Sequence, residues 1–382
     1  MRPSVTLWLL VLLVACDAQA PAANAPAAPP PTARGEAVAA PTARAETAAC
    51  RVNARYVLTK PSSAPQLIAL TSDQAGGLLL WVDASGATWT LTVDAAGRSE
   101  AAPSALALPR ARGLLSFTKL GGGFLAITEG ACEAASHCLY GLRLDARGEQ
   151  RGQASITPLA AAPLTLRRRV LGSRLLLALS TRHAAPRLFT YAPSEAGLEL
   201  TTRVLSEGAW PEESDATILA LTTDAERWAV LYRVGPTEAP TSEVRLALAD
   251  GMHEVPTLAH ALAVDALSFE GDGLTALVSY EFFRPKLHRL HLDGGAHVEA
   301  RELSPGAALP GVFRAKRRAH LEHGDELRFV LRNAAGDRIG AELTLDPNGR
   351  APADVARVGD GYLVIAFLDG QLRALGLTCA NP

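Results

Sequence analysis

Aromatic side chains and a charge excess of either sign are what this 382-residue sequence has little of. Only 5% of the residues are aromatic, so the core must be packed mainly from aliphatic side chains in a chain that is 48% hydrophobic. The formal net charge is -2, which gives no argument from overall charge for binding nucleic acid or an anionic membrane surface. Helical periodicity is also scarce, because no run with a period of 3.6 residues exceeds a turn or two. A large, strand-rich core is therefore expected.

Common motifs of catalysis and cofactor binding are missing as well. The sequence contains no glycine-rich phosphate loop, no nucleophile elbow and no HExxH helix. His320 and His323 lie beside acidic residues near a turn, which we interpret as a solvated turn rather than a metal site. We therefore predict no cofactor, no metal and no identifiable catalytic residue.

The N-terminus carries a specific signal. Arg2 precedes an apolar run from Val5 to Val14 that is too short to cross a bilayer as a mature helix, and Leu13-Val14-Ala15-Cys16 completes it. This segment resembles the lipobox of bacterial lipoproteins. The resemblance implies a signal peptide over residues 1–15, acylation of Cys16 and a lipid anchor in the bacterial cell envelope, outside the cytoplasm, with the choice of inner or outer membrane open. The alternative is an ordinary cleaved signal peptide with an incidental cysteine.

The segment that follows the signal, residues 16–49, is rich in Ala and Pro and shows no hydrophobic period. Proline stiffens such a chain towards an extended form, and the composition cannot bury a core. We therefore predict a lipid-anchored tether over residues 16–49 and a folded region over residues 50–382.

The remaining cysteines fit an exported protein. Cys50, Cys132, Cys138 and Cys379 form an even set. Cys132 and Cys138 flank a short polar loop that a local disulfide would close, and Cys50 and Cys379 bracket the folded region. A zinc site is the competing interpretation, but a six-residue spacing with only His137 nearby matches no common zinc pattern.

A strand-and-turn pattern recurs seven times. The residues that begin an apolar strand after each turn are Leu78, Phe124, Leu175, Trp228, Leu274, Leu327 and Tyr362. Their spacing is typical of propeller blades or solenoid units, and the dominance of strands favours four-stranded blades around an axis. We predict an all-β fold, a seven-bladed β-propeller, with tandem β-sandwiches as the alternative.

The last interval between strand starts, from Leu327 to Tyr362, is the shortest, and it determines how the ring should close. It predicts a reduced outer strand between Arg350 and Asp354 in the sixth blade. The stretch from Asp354 to Cys379 then forms a seventh blade that lacks its outer strand. Arg51 to Leu58 can supply that strand, because its apolar residues alternate along the stretch. The predicted Cys50–Cys379 disulfide would fix this join.

One turn resembles a family feature. The phrase from Asp83 to Trp89 resembles the Asp-box of sialidases and related propellers, with one extra residue between Asp and Gly, and we identify no other good copy. Asp-boxes are structural turns. No spacing identifies the arginine cluster, Tyr and Glu that sialidase chemistry needs. A propeller enzyme acting on glycans, of the glycosidase or lyase type, is therefore only the alternative function.

Two basic stretches fall where innermost strands are expected. Period two places Arg314, Lys316 and Arg318 on one face of the sixth blade's first strand, and Arg168 lies with two further arginines in the third blade. Innermost strands line a propeller's channel, so these residues could bind an anionic ligand there. Basic side chains that are solvated, or paired with carboxylates, are the alternative interpretation.

The expected function follows from these features together. We expect a non-enzymatic, lipid-anchored propeller that acts as a binding or scaffold module for an envelope protein or glycan. The combination of lipobox and propeller resembles in outline the propeller lipoproteins of the outer-membrane assembly machinery, without a matching interaction motif.

Overall fold

The structure, a computed structural model, describes residues 50–72, 75–106, 108, 111–195, 197–207, 209–211, 214–235, 243–280, 283–292, 298–303, 318–332, 338–347 and 352–379. The chain divides into two units, Met1–Arg44 and Ala45–Pro382, and every described residue belongs to the second. The predicted lipobox, Cys16 and the whole of the tether lie outside the described residues, so these remain predictions. None of the described elements is a helix long and apolar enough to cross a membrane.

The described residues form 27 strands and one short 3-10 helix, Pro256–Leu258. The strands of the first two blades are β2 (Pro65–Ser72), β3 (Gly76–Asp83), β4 (Thr88–Asp94), β5 (Ser104–Leu106), β6 (Ala111–Leu120), β7 (Gly123–Cys132), β8 (Ala135–Leu144) and β9 (Ser155–Leu159). The third and fourth blades contain β10 (Pro163–Leu171), β11 (Arg174–Thr181), β12 (Arg187–Ser194), β13 (Gly197–Val204), β14 (Ala216–Asp224), β15 (Arg227–Val234), β16 (Glu243–Leu248) and β17 (Met252–Glu254).

The remaining three blades follow the same order. Their strands are β18 (Ala263–Glu270), β19 (Gly273–Tyr280), β20 (Phe283–His291), β21 (Glu299–Glu302), β22 (Arg318–His323), β23 (Leu327–Arg332), β24 (Leu343–Asp346), β25 (Ala353–Val358), β26 (Gly361–Leu368), β27 (Gln371–Cys379) and the N-terminal β1 (Cys50–Thr59).

These strands build seven antiparallel sheets, of which six have four strands and one, in the described residues, has three. The first strands of successive blades lie beside one another: β2 contacts β6 and β25, and β10 contacts β14. The fold is therefore a seven-bladed β-propeller, as the repeat pattern predicted. All seven predicted strand starts, from Leu78 to Tyr362, lie in the second strand of a blade.

The ring closes as predicted. β1 pairs antiparallel with β27 in the sheet β1-β27-β26-β25, and Cys50 lies opposite Cys379 in the register. Partly buried and exposed residues alternate along β1, because one face packs on the blade and the other faces solvent. The disulfides are Cys50–Cys379 and Cys132–Cys138.

The tight turns have the expected chemistry. Asp369 and Gly370 join β26 to β27, and both have positive φ angles, 51° and 75°. A two-residue hairpin with positive φ at both positions matches the twist of its flanking strands, which explains the Asp-Gly sequence found there. Gly359, with φ 55°, provides a similar reversal between β25 and β26.

The hydrogen-bond pattern of the Asp-box-like turn recurs in other turns. Oδ1 of Asp83 accepts hydrogen bonds from the backbone N–H groups of Ser85 and Ala87. Asp94 and Asp145 each accept the same pair of bonds, from residues two and four positions ahead. These turns share Asp, two residues and a Gly with the Asp83 turn but lack its Trp, so the hydrogen-bond pattern recurs without the rest of the phrase.

The glycines of these turns make contacts between blades. A Cβ at Gly148 would lie 2.7 Å from Cδ1 of Leu78, and the Gly148 carbonyl accepts a 3.1 Å hydrogen bond from the Thr90 hydroxyl of the preceding blade. A Cβ at Gly97 would similarly lie 2.7 Å from Leu363 of the seventh blade. The turn after the third strand of one blade thus packs on the preceding blade.

The prediction for the sixth blade needs correction. Ala353, placed within its reduced outer strand, instead begins β25, the innermost strand of the seventh blade, and Asp354 follows it there as the first residue of the stretch predicted for that blade. Residues 350 and 351 of that prediction lie outside the described residues. The apolar alternation of β25 serves packing between blades, and sequence alone did not separate an outer strand from the next inner one.

Hydrophobic cores lie between neighbouring blades. Leu79 of the first blade, for example, packs in one cluster with Ile365 of the seventh, and Phe329 of the sixth blade packs with Val364 of the seventh. The opposite face of the sixth blade is charged: Arg332 lies 2.6 Å from Glu322. The innermost strands of neighbouring blades contact one another around the axis of the propeller, and the space that they surround is the central channel.

Candidate functional site

Three consecutive arginines occupy β10, the innermost strand of the third blade. β10 pairs with β11, whose Leu-rich sequence is buried on both sides, while Arg167, Arg168 and Arg169 are exposed. Leu166 packs in the core shared with the second blade, and Leu171 in the core shared with the fourth. The strand is therefore anchored by leucines at both ends, and the arginines between them lie at the channel.

Within the described residues, the side-chain hydrogen bonds of Arg167 and Arg168 end on neutral carbonyls. Nε of Arg167 donates to the Leu219 carbonyl at 3.3 Å, across the junction to the fourth blade. Nη1 of Arg168 donates to the Leu115 carbonyl of the second blade at 3.4 Å, which is long for such a bond. A carbonyl orients a guanidinium but does not neutralise it, so Arg168 keeps its capacity for an anionic partner.

Among the described residues, Asp354 is the carboxylate that interacts electrostatically with Arg168. Asp354, on β25, accepts a 2.7 Å hydrogen bond from the Leu70 N–H and a 2.8 Å bond from the Val355 N–H. Burial raises the pKa of Asp354, although both N–H groups and the charge of Arg168 act in the opposite direction. Asp354 is therefore a poor counter-ion for Arg168, because its carboxylate mainly holds β25 against β2.

Burial in the channel also affects Arg168. It lowers the pKa of the Arg168 guanidinium, and the negative charge of Asp354 partly offsets this effect. Solvent still reaches the side chain, which is exposed in the structure. The surrounding inner strands thus remove hydration from Arg168 while leaving it accessible, and an arriving anion would replace the lost hydration.

The other predicted basic residues are described only in part. Arg314 and Lys316 lie outside the described residues. The backbone of Arg318 begins β22, the innermost described strand of the sixth blade, and pairs with Arg332. Arg168 and Arg318 therefore both occupy innermost strands, as expected, and the convergence of all four side chains stays a prediction.

Asp354 is the site residue that sequence reasoning missed. It is 284 positions from Leu70, and only closure of the ring brings the two strands together. Across the described ranges, no group of three or more His, Cys, Asp or Glu residues is arranged to hold a metal ion.

Comparison with known proteins gives no sequence relative. No family model matches the chain, and no curated protein matches it. Among solved structures, Sqt1 of Saccharomyces cerevisiae aligns with a TM-score of 0.47 and 11% identity over 85% of this chain and 99% of that one. BBS1N, from its complex with ARL6DN, aligns at 0.40 and 8% over 87% and 97%. A subtype N10 neuraminidase-like protein of A/little yellow-shouldered bat/Guatemala aligns at 0.35 and 11% over 87% and 100%.

Proposed function

We propose that this chain is a lipid-anchored binding module of the bacterial cell envelope, in which the propeller channel holds an anionic group of a partner. The ligand would be a negatively charged glycan, a lipid headgroup or an acidic protein segment. Arg168 is its principal contact, and Arg314, Lys316 and Arg318 are further contacts.

The state of Arg168 carries the proposal. Its guanidinium is exposed, hydrogen-bonds a neutral carbonyl at 3.4 Å, and interacts with Asp354, which backbone N–H groups already engage. An exposed arginine that is poorly neutralised inside a concave site is a typical recognition point for carboxylate, sulfate or phosphate groups. Nearby low-dielectric walls strengthen its field despite the net charge of -2.

The location outside the cytoplasm rests on two independent features. The segment ending at Cys16 resembles a lipobox, and the folded unit contains two disulfides. Disulfides persist in oxidising compartments and are rare in the cytosol. The Ala- and Pro-rich segment before Cys50 would hold the propeller away from the membrane.

Binding can be tested with three probes: a sulfated glycan, vesicles containing an acidic phospholipid, and a poly-glutamate peptide. For the probe that binds, Arg168→Gln should weaken affinity by about 10-fold to 100-fold, because a hydrogen bond to a charged group contributes roughly 1.5–3 kcal/mol. Arg55→Gln is the matched control, since Arg55 is an exposed arginine on the outermost strand β1. Affinity should also fall as salt is added.

The predicted convergence of the basic side chains in the channel is tested with a separate variant. A triple substitution of Arg314, Lys316 and Arg318 by Ala should weaken binding of the same probe. Equal affinity of wild type, Arg168→Gln and the triple variant would refute an anion site in the channel.

Anchoring is tested separately. Cys16→Ala removes the thiol that would be acylated, so the protein should move from the membrane fraction to the soluble fraction, with the corresponding loss of mass. A Cys16→Ala protein that remains in the membrane fraction at unchanged mass would contradict the lipoprotein assignment.

A further inference from the structure

A second concave site lies at the turn ends of the fourth and fifth blades, away from the residues of the channel site. Its volume is about 480 Å³, within the range that holds small organic ligands. Leu248, Phe269 and Leu292 contribute apolar surface, because the core between these two blades opens to solvent here. A ligand in this cleft would therefore need an apolar part.

The arginine of the cleft already has its partners. Nη2 of Arg227 lies 2.6 Å from Asp224 and donates to the Gly271 carbonyl at 3.2 Å. Its guanidinium also lies over the ring of Phe269, 4.5 Å from the ring centre. Arg227 thus lines the cleft with its charge already paired by Asp224, so it is poorly suited to attract an anion.

Two carboxylates at the rim remain unmatched. Asp250 and Asp272 both line the cleft and are exposed. Neither makes a hydrogen bond or an ion pair within the part of the chain that the structure describes. With the charge of Asp224 matched by Arg227, these two side chains contribute roughly -2 to the rim, which the neighbouring Arg203 reduces to roughly -1. The rim therefore attracts positive charge.

The two aromatic rings of the cleft each contact an arginine. Besides the Arg227–Phe269 contact, Arg203 lies over the ring of Trp228 at 5.2 Å and donates to the Ala249 carbonyl at 2.7 Å. Each ring thus has a cation on one face, as expected for electron-rich rings near an accessible surface. The charge of Arg203 offsets part of the rim potential but pairs with neither carboxylate.

We propose that this cleft binds a small organic cation with an apolar body. The ammonium group would lie between Asp250 and Asp272, and the apolar body would contact Leu248, Leu292 and the edge of Phe269. This ligand class is opposite in charge to that proposed for the channel, so the two proposals stand independently.

The test compares phenethylamine with 2-phenylethanol, a neutral molecule of nearly the same shape, by titration calorimetry on the folded protein. The amine should bind at least 10-fold more tightly than the alcohol. Replacing both Asp250 and Asp272 by Asn should weaken binding of the amine by 10-fold or more and leave binding of the alcohol unchanged. Ala249→Phe, which places a ring in the cleft from an exposed position, should weaken both.

Asp360→Asn is the matched control. Asp360 lies between two glycines in the turn from β25 to β26, as Asp272 does in the turn from β18 to β19, but it is remote from the cleft. It should leave amine binding unchanged. The proposal is overturned if the amine shows no saturable binding, if amine and alcohol bind equally, or if the Asn variants behave like Asp360→Asn.

Discussion

Removing the disulfide between the two terminal strands should lower stability more than removing the local one. The perturbation is Cys50→Ser together with Cys379→Ser, which leaves the β1–β27 hydrogen bonds in place and opens a cross-link of sequence separation 329. The comparison variant replaces Cys132 and Cys138 by Ser, which opens a cross-link of separation 6.

The expected magnitudes follow from the loop sizes. In the chain-entropy model, closing the long loop contributes about 5–6 kcal/mol and closing the short one about 2–2.5 kcal/mol, because the cost to the unfolded chain grows with the logarithm of loop length. An unfolding entropy of about 2.1 cal/mol/K per residue gives roughly 0.7 kcal/mol/K for a folded region of this size. The terminal variant should therefore melt about 8 °C lower than wild type, and the local variant about 3 °C lower.

The assay is thermal unfolding followed by circular dichroism, with peptide mapping under non-reducing conditions to confirm each pairing. Wild type with added reductant should approach the melting temperature of a variant lacking both disulfides. Equal shifts for the two variants, or a larger shift for the local one, would refute the reasoning. The stabilisation would then not increase with the length of the loop that each disulfide closes.

Two further predictions concern packing and protonation. Gly148→Ala should destabilise the protein by about 1–3 kcal/mol more than Gly172→Ala, because both glycines have positive φ but only at Gly148 would the added Cβ approach Leu78; similar urea midpoints for the two variants would contradict this. Burial lowers the pKa of His288, so the unfolded state binds more protons below about pH 6.5 and stability should fall as pH decreases from there. His288→Gln, which can keep the hydrogen bond to Tyr280, should flatten the dependence of melting temperature on pH, and an unchanged slope would assign it to other groups.

The propeller and its closure were predictable because their signals are local. Each blade repeats an apolar second strand after a turn, and the alternation from Val52 to Leu58 indicates a strand with one exposed face. The pairing of Cys50 with Cys379 followed from their positions at the ends of the folded region. No long-range geometry was needed for any of these conclusions.

The boundary between blades was harder to predict. Ala353 follows a short interval and has no strong β propensity, so it was assigned to the end of the sixth blade, while Asp354 was placed at the start of the seventh. The structure places them in β25 because Val355 packs against the sixth blade and the Asp354 carboxylate binds the Leu70 N–H. The contact between Asp354 and Leu70 has no local sequence signal.

The candidate site was predicted only as far as the strand that carries its arginine. A run of three arginines on an expected inner strand identified Arg168, since apolar residues flank it with the strand period. Its relation to Asp354 arises from the ring geometry, as does the cleft lined by Asp250 and Asp272. Sequence gives the strand on which a charge lies, but the curvature of the ring determines which distant charges it meets.

The pairing of β1 with β27 also has a consequence for the order of events during synthesis. β1 leaves the ribosome first among the described strands, and its partner follows more than 300 residues later. Until then the thiol of Cys50 has no native partner, while Cys132 and Cys138 emerge close together and can oxidise at once. An early pairing of Cys50 with either of them would trap the chain in a form whose seventh blade cannot be completed. Correct closure of the ring in an oxidising compartment therefore requires that Cys50 is oxidised late or that a wrong disulfide is rearranged.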